Sequence, residues 1–157
     1  MKFSGGVEWA VHCCVVLTEI NEPVPATKLA EFHDVSATYL AKQMQALARS
    51  GIVRSIQGKS GGYVLTRAPE EITVLDVVVA TEGPGPMFQC TEIRQRGPLA
   101  APPENCHEAC PVAKAMIAGE TAWRNALSDI TIGDIAGQVG TGPDGTLGTV
   151  RKWFVGA

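Results

Sequence analysis

The stretch Ser36–Arg67, SATYLAKQMQALARSGIVRSIQGKSGGYVLTR, decides the fold. In its first half Leu40, Met44 and Leu47 recur at i, i+4 and i+7, the spacing that puts apolar side chains on one face of a helix. Thr38, Lys42, Gln45 and Arg49 then project from the opposite face. Ser36 stands where a helix N-cap is needed, because its hydroxyl can accept a bond from an unpaired backbone N–H. Gly51 marks the helix end. Ile52–Ile56 and Tyr63–Leu65 read as the arms of a β-ribbon, folded around Gly58, Gly61 and Gly62. A helix followed by a glycine-tipped basic ribbon is the layout of a winged helix-turn-helix.

Charge supports the same reading. Between Leu40 and Pro69 there are five basic residues (Lys42, Arg49, Arg54, Lys59, Arg67) and no acidic one. From Glu70 onward acidic residues outnumber basic ones, eleven to six, in a chain of net charge −3. A local basic stripe on an acidic protein is the electrostatic footprint of DNA binding. Such a run by itself suits a solvated helix face equally well, and its coincidence with the ribbon selects the DNA reading. Ser36, Thr38, Tyr39, Lys42 and Gln43 are candidates for base contacts in the major groove. Arg54, Gln57 and Lys59 on the ribbon are candidates for phosphate or minor-groove contacts. Gly58-Lys59-Ser60 echoes a phosphate-binding loop, but Val53 stands where that motif requires glycine, so an NTPase is not expected.

Upstream, Gly6 to about Ile20 has helical spacing, with Val7, Val11, Cys14 and Leu17 able to line one face. Pro23 and Pro25 end it, and Lys28–His33 is a short helix before the turn Asp34-Val35-Ser36. Downstream, Val74 to about Ala80 reads as a short helix or a strand. Pro111–Ser128 predicts a long helix with proline well placed in its first turn. A short helix follows at about Ile132–Gly137. The expected organisation is a winged helix-turn-helix region over 1–82, a cysteine-bearing loop over 83–110, helices over 111–137 and a flexible tail over 138–157. The fold class is mainly α with a small β-ribbon. At 157 residues and 45% hydrophobic content the core does not depend on disulfides. No apolar run approaches a membrane span and no signal peptide is evident, which predicts a cytoplasmic protein.

Five cysteines in a reducing compartment point to metal or redox chemistry. Cys90, Cys106 and Cys110 lie in or beside the Gly/Pro-rich loop, with fifteen residues between the first two and three between the last two. Cys110 is best placed as a ligand, since a helix N-terminus favours a thiolate. Cys90 and Cys106 stand level for the next place. Unligated thiols and a structural zinc site are the plain alternatives. Adjacent Cys13 and Cys14 point in different directions on a helix and read as core residues. No nucleophile motif accompanies Cys110 or His12, and His33 and His107 lack partners in pattern, so an enzyme is not expected.

The pattern Leu29-Ala30, Val35-Ser36, Tyr39-Leu40, Leu47, Gly51-Ile52-Val53, Gly58, Gly61-Gly62-Tyr63, Leu65, Glu71-Ile72-Thr73 and Asp76-Val77 resembles the IscR/NsrR family of bacterial winged-helix regulators. Thr131-Ile132-Gly133-Asp134 matches that family's segment after its long helix, so the resemblance covers most of residues 1–137. It implies a homodimer built on the long helix, binding palindromic promoter DNA. It also implies an iron–sulfur cluster held by cysteines of the loop, although the uneven spacing departs from the family's pattern. Three thiols fall short of the usual four ligands. In some relatives the shortfall is met by an acidic or histidine side chain, sometimes from the partner subunit's first helix. Glu8 and His12 sit at i and i+4 on such a helix, and an ordinary exposed contact is the plain alternative. With two cysteines of the other subunit they would hold a 2Fe–2S cluster across the interface. Trp9, adjacent to Glu8, is a candidate for coupling the cluster's redox state to the DNA-binding helices, against a rival role in packing. The expected function is promoter binding controlled by cluster redox state. Alternatives are a zinc or thiol-oxidation switch, or sensing of nitric oxide or of cluster supply.

Overall fold

A computed structural model describes residues 3–156; Met1, Lys2 and Ala157, which close the expected first and last segments, lie outside the described residues. Among the described residues seven α-helices and one antiparallel β-hairpin follow in the order α1 (Gly5–Leu17), α2 (Ala26–His33), α3 (Ala37–Arg49), β1 (Val53–Ile56), β2 (Gly62–Leu65), α4 (Val74–Glu82), α5 (Pro111–Ser128), α6 (Ile132–Val139) and α7 (Thr146–Val155). The chain divides into two compact units. One comprises Gly85–Ala126, and the other comprises the preceding segment together with Leu127 onward.

In the larger unit Leu29, Leu40, Met44, Leu47, Ile52, Val53, Ile72, Val77 and Ile132 form a continuous buried core with Cys13 and Cys14. The apolar i, i+4, i+7 face of α3 is thus fully buried, while Thr38, Lys42, Gln45 and Arg49 are exposed. Ser36 caps α3, its Oγ accepting from the Tyr39 amide at 3.4 Å. Asp34, at φ 51°, turns the chain between α2 and α3 in the left-handed conformation that Asp tolerates. The hairpin pairs Val53 with Leu65 and Ile56 with Gly62. Gly62 lies so close to the Val24 carbonyl that any Cβ there would collide with backbone. That close approach lets Val24 and Tyr63 exchange backbone bonds at 3.0 and 2.8 Å, anchoring the wing to the segment before α2.

The helix-or-strand choice for 74–80 resolves as helix. Thr73 and Asp76 form a capping box, with both reciprocal bonds at 3.0 Å, and Thr131 and Asp134 form a second one ahead of α6. Hydrogen bonding to Thr131, first through its backbone amide and then its hydroxyl, holds the Asp134 carboxyl below its usual range. The two caps meet through Val74 N–H to the Ile130 carbonyl (2.9 Å) and Ile132 N–H to the Ile72 carbonyl (2.8 Å). This cross-link binds α6 to the winged-helix core.

Within the segment expected as a flexible tail, Thr146–Val155 forms α7. Leu147 and Phe154 are buried, and Phe154 packs on Phe32 of α2 with ring centroids 5.1 Å apart. Lys28, also on α2, donates to the Phe154 carbonyl at 2.5 Å. The glycines of this region hid a helical repeat of apolar residues: Leu147, Val150 and Phe154 fall at i, i+3 and i+7.

Candidate functional site

The DNA-reading candidates separate by exposure. Ser36, Thr38, Tyr39 and Lys42 are exposed on α3, and Arg54, Gln57 and Lys59 are exposed on the hairpin. Gln43 is not: it is 7% exposed, and a Cβ on Gly6 of α1 would sit 2.7 Å from its Oε1. Its position three residues after Leu40 puts it on the core side of α3, beside Met44, where the missing side chain at Gly6 leaves room for the amide. Gln43 therefore joins α1 to α3 and leaves the groove-facing set. Arg67 also turns inward, donating to the Glu71 carbonyl at 3.0 Å and pairing with Asp76 at 3.3 Å. The exposed basic stripe accordingly consists of Lys42, Arg49, Arg54 and Lys59.

On α1 the side chains of Glu8 and His12 are both exposed, one turn apart, with half-buried Trp9 beside them. Glu8 makes no hydrogen bond or ion pair among the described residues. The imidazole of His12 lies 6.4 Å from the Trp9 ring and 5.9 Å from His33, centroid to centroid. His33 has a buried Nε2 without a hydrogen-bond partner among the described residues. Burial first, and the neighbouring His12 second, hold its basicity down. Gly5 and Gly6 begin this helix against Tyr39 and Gln43, so the exposed Glu8/His12 face is carried by a helix resting directly on α3.

The five cysteines fall into two chemical classes. Cys13 and Cys14 are fully buried, and burial pushes the Cys13 thiol up to about 12 and that of Cys14 up as well. Neither presents a thiolate, in keeping with a core role. Cys90 is exposed, and Cys106 and Cys110 are partly exposed, all three in the smaller unit. Cys110 immediately precedes α5, and its Sγ accepts the Ala113 amide at 3.4 Å. Cys90 and Cys106 lie in irregular backbone. Among the described residues no three His, Cys, Asp or Glu side chains are gathered as a metal site. The donor set itself fits an iron–sulfur centre: accessible soft thiols in irregular backbone, one seated at a helix N-terminus.

Helix α5 buries only Ala113 and leaves Val112, Met116 and Ile117 about half exposed or more. Met87, Phe88, Met116, Gly119 and Trp123 line an apolar recess of about 440 Å³ on the smaller unit.

The profile of the Rrf2 family, described as iron-dependent transcriptional regulators, matches residues 3–138. The chain belongs to the Rrf2 family. It is 31% identical over 159 residues to YwgB of Bacillus subtilis, covering 99% of this chain and 96% of YwgB. Two solved structures share the fold. CymR, the global cysteine regulator of B. subtilis, superposes with a TM-score of 0.69 at 24% identity, over 88% of this chain and 98% of CymR. IscR of T. potens does so with a TM-score of 0.62 at 21% identity, over 88% of each chain. This Rrf2-family protein is thus a DNA-binding transcription regulator and not an enzyme. No helix among the described residues is long and apolar enough to cross a membrane. Family membership places α7 beyond the matched region.

Proposed function

We propose that this Rrf2-family regulator binds promoter DNA as a homodimer and releases or engages it according to the redox state of a 2Fe–2S cluster. The observation that carries the reading is the placement of Glu8 and His12, exposed on α1, which rests through Gly5 and Gly6 on Tyr39 and Gln43 of α3. Cys110, with either Cys90 or Cys106, would hold one iron, and the partner subunit's Glu8 and His12 would hold the other. The cluster supplies reversible one-electron reduction, at a potential that neutral imidazole ligation tends to raise.

The chain's own residues account for the rest. The Glu8/His12 face and the DNA-reading face belong to touching helices, so a displacement of α1 reaches α3 without an intermediary. Trp9, whose ring neighbours both exposed His12 and half-buried His33, is the side chain placed to move when charge at His12 changes. Arg54, Gln57 and Lys59 reach phosphates or the minor groove, and Ser36, Thr38, Tyr39 and Lys42 face base edges. The uncovered apolar side chains of α5 support dimerisation on that helix.

Protein purified without oxygen is expected to be coloured, with about two irons and two acid-labile sulfides per bound cluster. A colourless chain that resists cluster reconstitution would instead identify a zinc or thiol switch. Trp9→Ala is expected to retain the cluster while binding DNA with the same affinity in both redox states. A Trp9→Ala protein that switches normally would remove Trp9 from the coupling.

A further inference from the structure

Cys90 and Cys106 are separated by a long segment whose regular structure is limited to two 3-10 turns, Ile93–Gln95 and Pro103–Asn105, yet that segment is tied down by Arg94. Arg94 donates to both carboxylate oxygens of Glu92, from Nε at 2.6 Å and from Nη2 at 2.7 Å. The same Nη2 donates to the Glu108 carbonyl at 2.8 Å, two residues before Cys110. The Arg94 carbonyl accepts the Ala101 amide at 2.8 Å, and the Glu108 carboxylate pairs with Lys114 on α5 at 3.1 Å. Glu92 itself holds φ 48° and ψ 55°, a left-handed conformation that a non-glycine residue adopts only when its surroundings enforce it. The fork of Arg94 supplies that enforcement, since a guanidinium matches a carboxylate in a fixed plane.

We propose that Arg94 is the positioning residue of the cysteine segment, joining its Cys90 end to its Cys110 end through the Glu92 carboxylate and the Glu108 carbonyl. Three features converge on it: the bidentate Glu92 pair, the bond to Glu108 that crosses the segment, and the strained residue two positions from Cys90. Arg94 is held protonated, chiefly by its hydrogen bond to Glu92. An arginine in this place serves two ends. It restricts the loop before any metal arrives, lowering the ordering entropy of ligation. Its charge would also stand near a cluster held by Cys110, two residues beyond the Glu108 carbonyl it binds, and net charge near a cluster is one determinant of its reduction potential.

The role in the cluster rests on the function proposed above, whereas the restraint of the loop does not, and the experiment separates the two. Full-length wild type, Arg94→Gln and Arg94→Lys are compared by amide hydrogen exchange in the metal-free form and by potentiometric titration after reconstitution. Arg94→Gln is expected to raise exchange across residues 92–108 by about tenfold, the signature of a released local restraint. Its cluster is expected to reduce at a more negative potential, because a nearby positive charge favouring the reduced form has been removed. Arg94→Lys keeps the charge but not the fork, so the potential is rescued while exchange stays fast. Unchanged exchange in Arg94→Gln overturns the proposal whether or not metal binds. Faster exchange with an unshifted potential overturns the electrostatic half and leaves a loop tie only. If wild type takes up no cluster, the iron–sulfur reading fails, and the exchange data alone decide the role of Arg94.

Discussion

Cys110→Ala is expected to lose at least nine-tenths of its iron and sulfide while retaining the wild-type fold, judged by far-ultraviolet circular dichroism and monomer-level thermal stability. Cys110 is the thiol whose position is fixed by regular structure: its sulfur accepts the Ala113 amide at the start of α5. A ligand held in place contributes more than one that must first be ordered. The residue is only partly buried and packs no core, so its truncation leaves little cavity, and the stability change is expected to stay within about 1 kcal/mol. Cys13→Ala, by contrast, removes a fully buried side chain from the core. It is expected to destabilise by about 1 kcal/mol and to leave iron content alone. Equal iron in Cys110→Ala and wild type would exclude Cys110 as a ligand.

The second large effect concerns DNA. The triple variant Lys42→Ala, Arg54→Ala, Lys59→Ala is expected to weaken binding to a duplex selected from a random pool by about a hundredfold or more at moderate salt. Each lost phosphate contact should reduce the magnitude of the slope of log affinity against log salt by about one. The three side chains are exposed and occupy α3, β1 and the hairpin tip, so their removal leaves the core untouched. Arg67→Ala is the informative control. Its guanidinium is committed to the Glu71 carbonyl and to Asp76, so it should lower stability modestly without changing the salt slope. A triple variant with wild-type affinity and salt dependence would place the DNA elsewhere on the molecule.

Much of this was open to reading in the residues because the relevant signals are local. Leu40, Met44 and Leu47 repeat at the helical period, and Ser36 stands where a cap belongs. Gly58 and Gly62 stand at the fold of the ribbon, both at positive φ, and all of these hold in the structure. Glu8 and His12 share an exposed face because four residues make about one helical turn. What escaped depends on partners distant in sequence. Gln43 is polar and was assigned outward with Lys42, but Gly6, thirty-seven positions earlier, leaves a space that only its amide fills. Arg67 belongs to the basic run by composition, yet Asp76 draws it inward. The Glu92–Arg94–Glu108 tie has no period to reveal it, since Arg94 sits in a single 3-10 turn and Glu108 in irregular backbone. Helix α7 was visible as Leu147, Val150 and Phe154, but its glycines outweighed that spacing until Phe32 and Lys28 on α2 provided a docking face.

The arrangement also limits how a signal can travel. Cooperativity between two sites requires an element with two arrangements that both sites bias. Helix α1 is the element placed to be biased from both sides, bearing Glu8 and His12 outward and meeting Tyr39 and Gln43 through Gly5 and Gly6. Helix α7 docks on α2, through Phe154 against Phe32 and Lys28 against the Phe154 carbonyl, and leaves the Glu8/His12 face of α1 exposed. It therefore braces the helix that precedes the DNA reader.

The most direct test is the affinity of one selected duplex for the same protein preparation, measured by fluorescence anisotropy without oxygen, first oxidised and then after reduction by one electron per cluster. The account predicts a change of at least tenfold between the two states, reversed on reoxidation with iron and sulfide content constant. A coupling of that size corresponds to about 1.4 kcal/mol between the metal centre and the DNA surface. Equal affinity in both states, with the cluster intact throughout, would contradict control by redox state.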